Sequence, residues 1–125
     1  MNFEFDNNLP IYIQLVEQLK IAIISNRILS GDKIPSVRDL AIQFKVNPNT
    51  MQKALAELEQ LELIYTKRTN GKYVTSNQEL INKYKENYAK ELTNKYFSNM
   101  ESIGYTKNEI IKYIEELGGI KRWAY

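Results

Sequence analysis

The sequence predicts a mainly α-helical chain with one small β-hairpin, and three observations carry that expectation. Apolar residues recur at helical spacing in successive stretches, from "PIYIQLVEQLKIAIISNRIL" at 10–29 to the long segment after residue 77. β-branched and aromatic residues crowd into two short runs on either side of "TNG" at 69–71. The breaks fall at cap and turn residues: Asn26, "SGD" at 30–32, "NPN" at 47–49 and Gly104.

Composition bounds the rest. A chain of 125 residues suits one domain, or a small domain with an appendage, and can hold a real core. Its 43% hydrophobic and 26% charged content is ordinary for a folded domain. The apolar runs are as short as "IAII" at 21–24, so no membrane span is expected. Residues 1–15 lack the basic-then-apolar order of a secretion signal, which points to the cytoplasm. Cysteine and histidine are both absent. That excludes disulfides, thiolate chemistry and imidazole or thiolate metal sites, and it removes the commonest general base. An enzyme would have to use carboxylates or lysines, yet nothing polar converges on a pair such as Glu115 and Glu116. No catalytic residue, metal site or cofactor is expected.

The first helix begins at Pro10, a residue suited to a first turn, with Ile11, Leu15, Leu19, Ala22 and Ile23 on its inner face. Asn26 is suited to a left-handed cap. Ser36 caps a short second helix running to about Phe44, with Val37, Leu40, Ala41 and Phe44 inward. A third helix restarts almost at once, capped by Asn47 with Pro48 in its first turn. Its inward stripe is Met51, Ala54, Leu55 and Leu58. The opposite face carries Asn49, Gln52, Lys53 and Ala56, with Thr50 at its edge.

That outward face offers amide, hydroxyl and ammonium donors and no carboxylate, which suits base edges and phosphates, although an ordinary wetted helix face has the same look. The net charge of +2 is too small to announce a polyanion partner. Its distribution says more. No acid lies between Asp39 and Glu57, or between Glu62 and Glu79, while Lys45, Lys53, Lys67, Arg68 and Lys72 fall in those windows. Three of them, Lys67, Arg68 and Lys72, sit near the tip of the predicted hairpin. Two helices joined so tightly must cross steeply, so the third helix projects. Helix, helix, turn, helix, basic hairpin is a winged helix-turn-helix.

The stretch "KIPSVRDLAIQFKVNPNTMQKALAELEQLELIYTKRTNGKYVT" resembles the winged-helix domain of GntR-type bacterial transcription regulators, and "LPIYIQLVEQLKIAI" adds to the likeness. The resemblance covers about residues 1–76. The short remainder resembles the YtrA-type subfamily, in which a helical pair replaces a larger ligand-binding domain. The resemblance implies DNA contacts at Ser36 and Arg38 in the second helix, at Asn47, Asn49, Thr50, Gln52 and Lys53 in the third, and at Gly71 and Lys72 in the wing; Arg68 joins them as a basic residue of the wing tip. An Arg38 guanidinium can clamp a phosphate or read guanine with two prongs. Pro48 and Glu62 depart from the family pattern, Glu62 standing where glycine is frequent, and "TNG" replaces a more glycine-rich wing tip.

Residues 77–125 read as a second region. A long helix from about Gln78 to Ile103 carries Ile81, Tyr84, Tyr88, Leu92, Tyr96, Met100 and Ile103 along one stripe, and Gly104 ends it. "TKNE" at 106–109 is a capping box for a helix with Ile110, Ile111, Ile114 and Leu117, stopped at Gly118 and Gly119. Pairs such as Glu86 and Lys90 support the helix surface. The tail "IKRWAY" could order a dimer edge through Trp123 or fray. An exposed stripe of this kind needs a partner surface, and the resemblance implies a homodimer. The alternative is that Tyr84, Tyr88 and Tyr96 line a pocket for a small-molecule effector.

The expected function is a sequence-specific DNA-binding transcription regulator, a repressor in the expected case and one of a transporter operon by the resemblance, acting as a homodimer on a palindromic double-stranded operator. The competing reading is a winged-helix protein-interaction module, which would more often present large apolar anchors on the third helix.

Overall fold

A computed structural model describes residues 4–117 of the chain. The expected stop at Gly118 and Gly119 and the expected role of Trp123 lie outside the described residues.

The first helix, α1, is Ile11–Ile24, with Pro10 just before it as the extended cap residue rather than inside its first turn. Leu15, Leu19, Ala22 and Ile23 are buried as the stripe predicts, joined by Ile24. Ile11 departs from expectation: it is 45% exposed, because the first turn borders an open cleft instead of the core. Gln14 holds the preceding segment in place. Its amide accepts the Asp6 N–H at 2.7 Å and donates to the carbonyls of Asp6 and Leu9. Asn26 takes the left-handed conformation, φ 64°, past the end of α1.

The second helix, α2, is Val37–Phe44, and the Ser36 hydroxyl accepts the Asp39 N–H at 3.1 Å. Lys45, left-handed at φ 57°, turns the chain within three residues into α3, Pro48–Gln60. Asn47 caps α3 by accepting the Asn49 N–H at 2.7 Å. Met51, Ala54, Leu55 and Leu58 are all buried. α3 is the hub of the fold, since α1, α2 and the first wing strand all pack against it. Burying Met51, Leu55 and Leu58 stabilises the fold by about 1.5–3 kcal/mol each, before the entropy cost of ordering them.

Glu62 is left-handed, φ 62°, which explains why glycine would be easy there. The wing strands β1, Ile64–Lys67, and β2, Gly71–Val74, pair antiparallel, with Ile64 opposite Val74 and Lys67 opposite Gly71. The segment read as a turn around "SGD" does more than turn: Lys33 bridges Tyr73, the Ile34 N–H donates to the Lys72 carbonyl at 3.0 Å, and the Val74 N–H donates to the Asp32 carbonyl at 2.8 Å. The chain before α2 therefore occupies the free edge of β2 and fixes the wing to the body.

The helix α4 is Gln78–Ser102, and α5 is Lys107–Leu117. The capping box is as expected: the Thr106 N–H donates to the Glu109 carboxylate at 2.9 Å and the Glu109 N–H to the Thr106 hydroxyl at 3.2 Å. Gly104, at φ 101°, ends α4, and the Tyr105 N–H closes on the Met100 carbonyl at 3.2 Å. Glu86 and Lys90 pair at 3.5 Å on the surface.

Two compact units meet between Lys85 and Glu86, later than the boundary expected at 76. The first turns of α4 belong to the winged-helix unit. Ile81 is 1% exposed, and the Tyr84 hydroxyl donates to the Leu61 carbonyl at 3.0 Å. These two residues, expected on the partner-facing stripe, serve the protomer's own core instead. Ile110, expected there as well, is fully buried within the chain. Exposed apolar surface remains at Leu92, Tyr96, Ile103, Ile111 and Leu117; Tyr88, Met100 and Ile114 are half-buried.

Candidate nucleic-acid interface

The third helix presents its polar face outward, as its spacing predicts. Asn49, Gln52 and Lys53 are exposed and Thr50 is half-buried at the edge. The inward stripe fixes this orientation, because rotating α3 to hide Lys53 would expose Met51 and Leu55. Asn47 is exposed too, but its carbonyl oxygen is occupied with the cap, which leaves its amide hydrogens for a ligand. In the same way the Ser36 oxygen accepts the cap bond and can still donate its proton. Arg38 is exposed in the first turn of α2, and Arg68 is exposed at the wing tip.

Six of the expected residues line two clefts, while Arg38, Asn47, Gln52 and Arg68 line neither. One, of about 710 Å³, lies between the start of α2 and the wing and brings together Ser36, Gly71 and Lys72 with Lys33 and Asn70. Gly71 is needed at this point: its φ is 91°, and a Cβ there would lie 3.3 Å from the Lys33 Cε. The other, of about 400 Å³, is lined by Asn49, Thr50 and Lys53 with Ile11 and Tyr12. Lys33 and Tyr12 were not expected. Lys33 stands beside Asp32 and its charge looks balanced in sequence, and Tyr12 carries no signal apart from its place at the start of α1.

The basic side chains are held to different degrees. The Lys53 ammonium lies 3.9 Å from the centre of the Tyr12 ring, and that of Lys67 lies 4.3 Å from the Tyr73 ring. Tyr73 in turn stacks on Tyr65 across the hairpin, ring centres 6.0 Å apart. Lys72 is the most constrained. Its ammonium lies 2.6 Å from the Glu59 carboxylate and 3.0 Å from the Thr66 hydroxyl. The Lys72 hydrogen bond, followed by that from Thr66, holds the Glu59 carboxyl below the usual carboxylate range. Lys72, expected as a DNA contact of the wing, is already paired with an acid.

Of the tyrosines considered for an effector pocket, Tyr84 is engaged with Leu61 and lies under the Lys20 ammonium, 5.6 Å from its ring centre. Tyr96 stands edge-on to Phe97. No helix among the described residues is long and apolar enough to cross a membrane.

The chain is similar to known proteins in sequence and in fold. The family described as "Bacterial regulatory proteins, gntR family" matches residues 11–74. The HTH-type transcriptional regulator YhcF of Bacillus subtilis is 35% identical over 115 residues, 92% of this chain and 95% of that protein. The HTH-type transcriptional repressor YtrA of the same organism is 44% identical over 68 residues, 54% of this chain and 52% of that protein. Among solved structures, a GntR family transcriptional regulator from Listeria monocytogenes superposes with a TM-score of 0.83 at 41% identity, covering 90% of this chain and 98% of that one. The DNA-binding domain of AraR, solved in complex with operator ORR3, superposes with a TM-score of 0.51 at 33% identity, covering 60% of this chain and 88% of that one.

Proposed function

The chain belongs to the gntR family of bacterial regulatory proteins, as a sequence-specific DNA-binding transcription regulator, and from that membership we propose that it is a homodimeric repressor acting on a palindromic operator in the cytoplasm. The observation that carries the reading is the outward face of α3: Asn49, Thr50, Gln52 and Lys53 project from a helix whose other face is locked into the core. Asn and Gln can each make paired hydrogen bonds to an adenine edge, and Lys53 can reach guanine or phosphate. Arg38, Ser36, Asn47, Arg68, Gly71 and Lys72 would add further DNA contacts, Arg38 to a phosphate or a guanine edge and Lys72 through the wing's position more than through a free charge.

Exposed apolar surface in the second unit supports the dimer. Leu92, Tyr96, Ile103, Ile111 and Leu117 leave apolar surface exposed along the second unit, and a second copy of the same surface is its natural cover. Two copies of α3 would then enter successive major grooves, with half-sites about one helical turn apart or somewhat more. A small-molecule effector would act by changing that spacing, and a transporter operon is the target that the YtrA-type likeness suggests. Footprinting with the full-length protein on the promoter of its own operon tests the reading. A protected inverted repeat is expected, and absence of any protected sequence overturns it.

A further inference from the structure

Tyr12 lies far from α3 in sequence, yet its ring sits under the ammonium of Lys53 at 3.9 Å. Both side chains line the cleft that also holds Asn49 and Thr50. Lys53 is an exposed residue on a flexible stem, and a free lysine spends most of its time in other rotamers. A ring face attracts the cation through its quadrupole and reduces that freedom. It takes up one side of the ammonium and leaves N–H groups directed away from the ring. The Tyr12 backbone is itself fixed, because it lies in the first turn of α1, packed on α3, beside the Gln14 clamp.

We propose that Tyr12 is a positioning residue for DNA readout: it holds the Lys53 ammonium beside Asn49 and Thr50, so that the three present a preformed set of donors to one stretch of DNA. The inference rests on the reading of the α3 outward face as the DNA-binding surface. The contribution is made through Lys53 and needs the ring but not the phenol hydroxyl. A preorganised ammonium gives up less rotamer freedom on binding, so the effect falls on affinity and on base or phosphate preference at the position Lys53 reaches.

The test uses the full chain and the duplex recovered by selection from a random-sequence pool. Tyr12→Leu is expected to weaken binding by about three- to thirty-fold, the range of an exposed to a desolvated cation–ring contact. Tyr12→Phe is expected to stay within about two-fold of the natural protein, because the ring face is retained. In a Lys53→Ala background, Tyr12→Leu should have no further effect, which a purely structural role of the tyrosine would not produce. Melting curves of each variant establish that the fold is retained. An equal loss from Tyr12→Leu with and without Lys53, or no loss at all, overturns the positioning role while leaving α3 as the DNA surface. If Lys53→Ala itself leaves affinity and salt dependence unchanged, this inference fails; if Arg38→Ala does so as well, the assignment of the surface fails with it.

Discussion

The Lys72 ammonium lies 2.6 Å from a carboxylate oxygen of Glu59, joining the second wing strand to the last turn of α3. The pair is partly buried, at 20% and 35% side-chain exposure, and Thr66 hydrogen-bonds both members. The contact ties the wing to the end of α3, in addition to the backbone bonds from Asp32 and Ile34 to β2.

Its pH dependence has a defined sign. In the unfolded chain Glu59 titrates near its ordinary value of 4.5, and in the folded chain the bonds from Lys72 and Thr66 hold it lower. The stabilisation is complete above the ordinary value and is lost as pH falls through the folded one. Glu59→Gln is expected to destabilise by about 1 kcal/mol or less at neutral pH, since the pair is partly solvated. The gap between the melting temperatures of the variant and the natural protein should close as pH falls below 4.5. A gap that stays constant down to strongly acid pH would show that the carboxylate charge contributes nothing.

Arg38→Ala and Lys53→Ala are each expected to weaken operator binding by about 1 to 3 kcal/mol without loss of fold, since both side chains are exposed. Each phosphate contact removed should reduce the salt slope by about 0.9. Lys72→Ala should cost less affinity than Arg38→Ala, because the Lys72 charge is already balanced by Glu59. Fluorescence anisotropy at several salt concentrations measures all three. Unchanged binding in both the Arg38 and Lys53 variants would move the recognition surface elsewhere.

The contrast between Arg38 and Lys72 shows where sequence reading works and where it stops. Caps and stripes were legible because they are local: Ser36, Asn47, Pro48 and the Thr106–Glu109 box act within one turn, and a helical period turns spacing into burial at Met51, Ala54, Leu55 and Leu58. The pairing of Lys33 with Tyr73 was not, since "GDK" carries turn residues and no alternation, and its hydrogen bonds come from backbone groups that every residue shares. Nor were Lys72–Glu59 and Lys53–Tyr12, whose partners meet only after the chain has folded. The same limit explains Ile81 and Tyr84. They lie on the stripe that continues to Leu92, and nothing in its period marks where the core ends and exposed surface begins.

Regulation should not run through metal or thiol chemistry. The chain has neither histidine nor cysteine, so soft and borderline ions lack their usual ligands. Titration calorimetry with zinc is expected to show no tight stoichiometric binding, and operator affinity should be unchanged by mild thiol oxidants. Stoichiometric zinc uptake with a change in DNA affinity would contradict this.

The proposed homodimer gives the second unit a role in operator binding. A single winged helix makes few base contacts, and one such module binds too weakly to compete with genomic sites. Joining two makes the second contact effectively intramolecular and raises affinity by roughly 10² to 10⁴ with no new kind of contact. In the second unit the candidates for such a link are the exposed apolar residues Leu92, Ile103, Ile111 and Leu117, and not Ile110, which like Ile81 is buried within the chain. A truncation meant to isolate the DNA-binding unit must accordingly end after Lys85, because a cut at 76 would strip Ile81 and Tyr84 from its core. Residues 1–85 are expected to be a folded monomer with poor operator affinity, and the full chain a dimer. Leu92→Glu places a charge on the exposed stripe and should reproduce the truncation, with loss of the dimer followed by loss of tight binding. Light scattering that finds the full chain monomeric at micromolar concentration, or a truncated unit that binds the operator as tightly as the whole, would refute this role for the second unit.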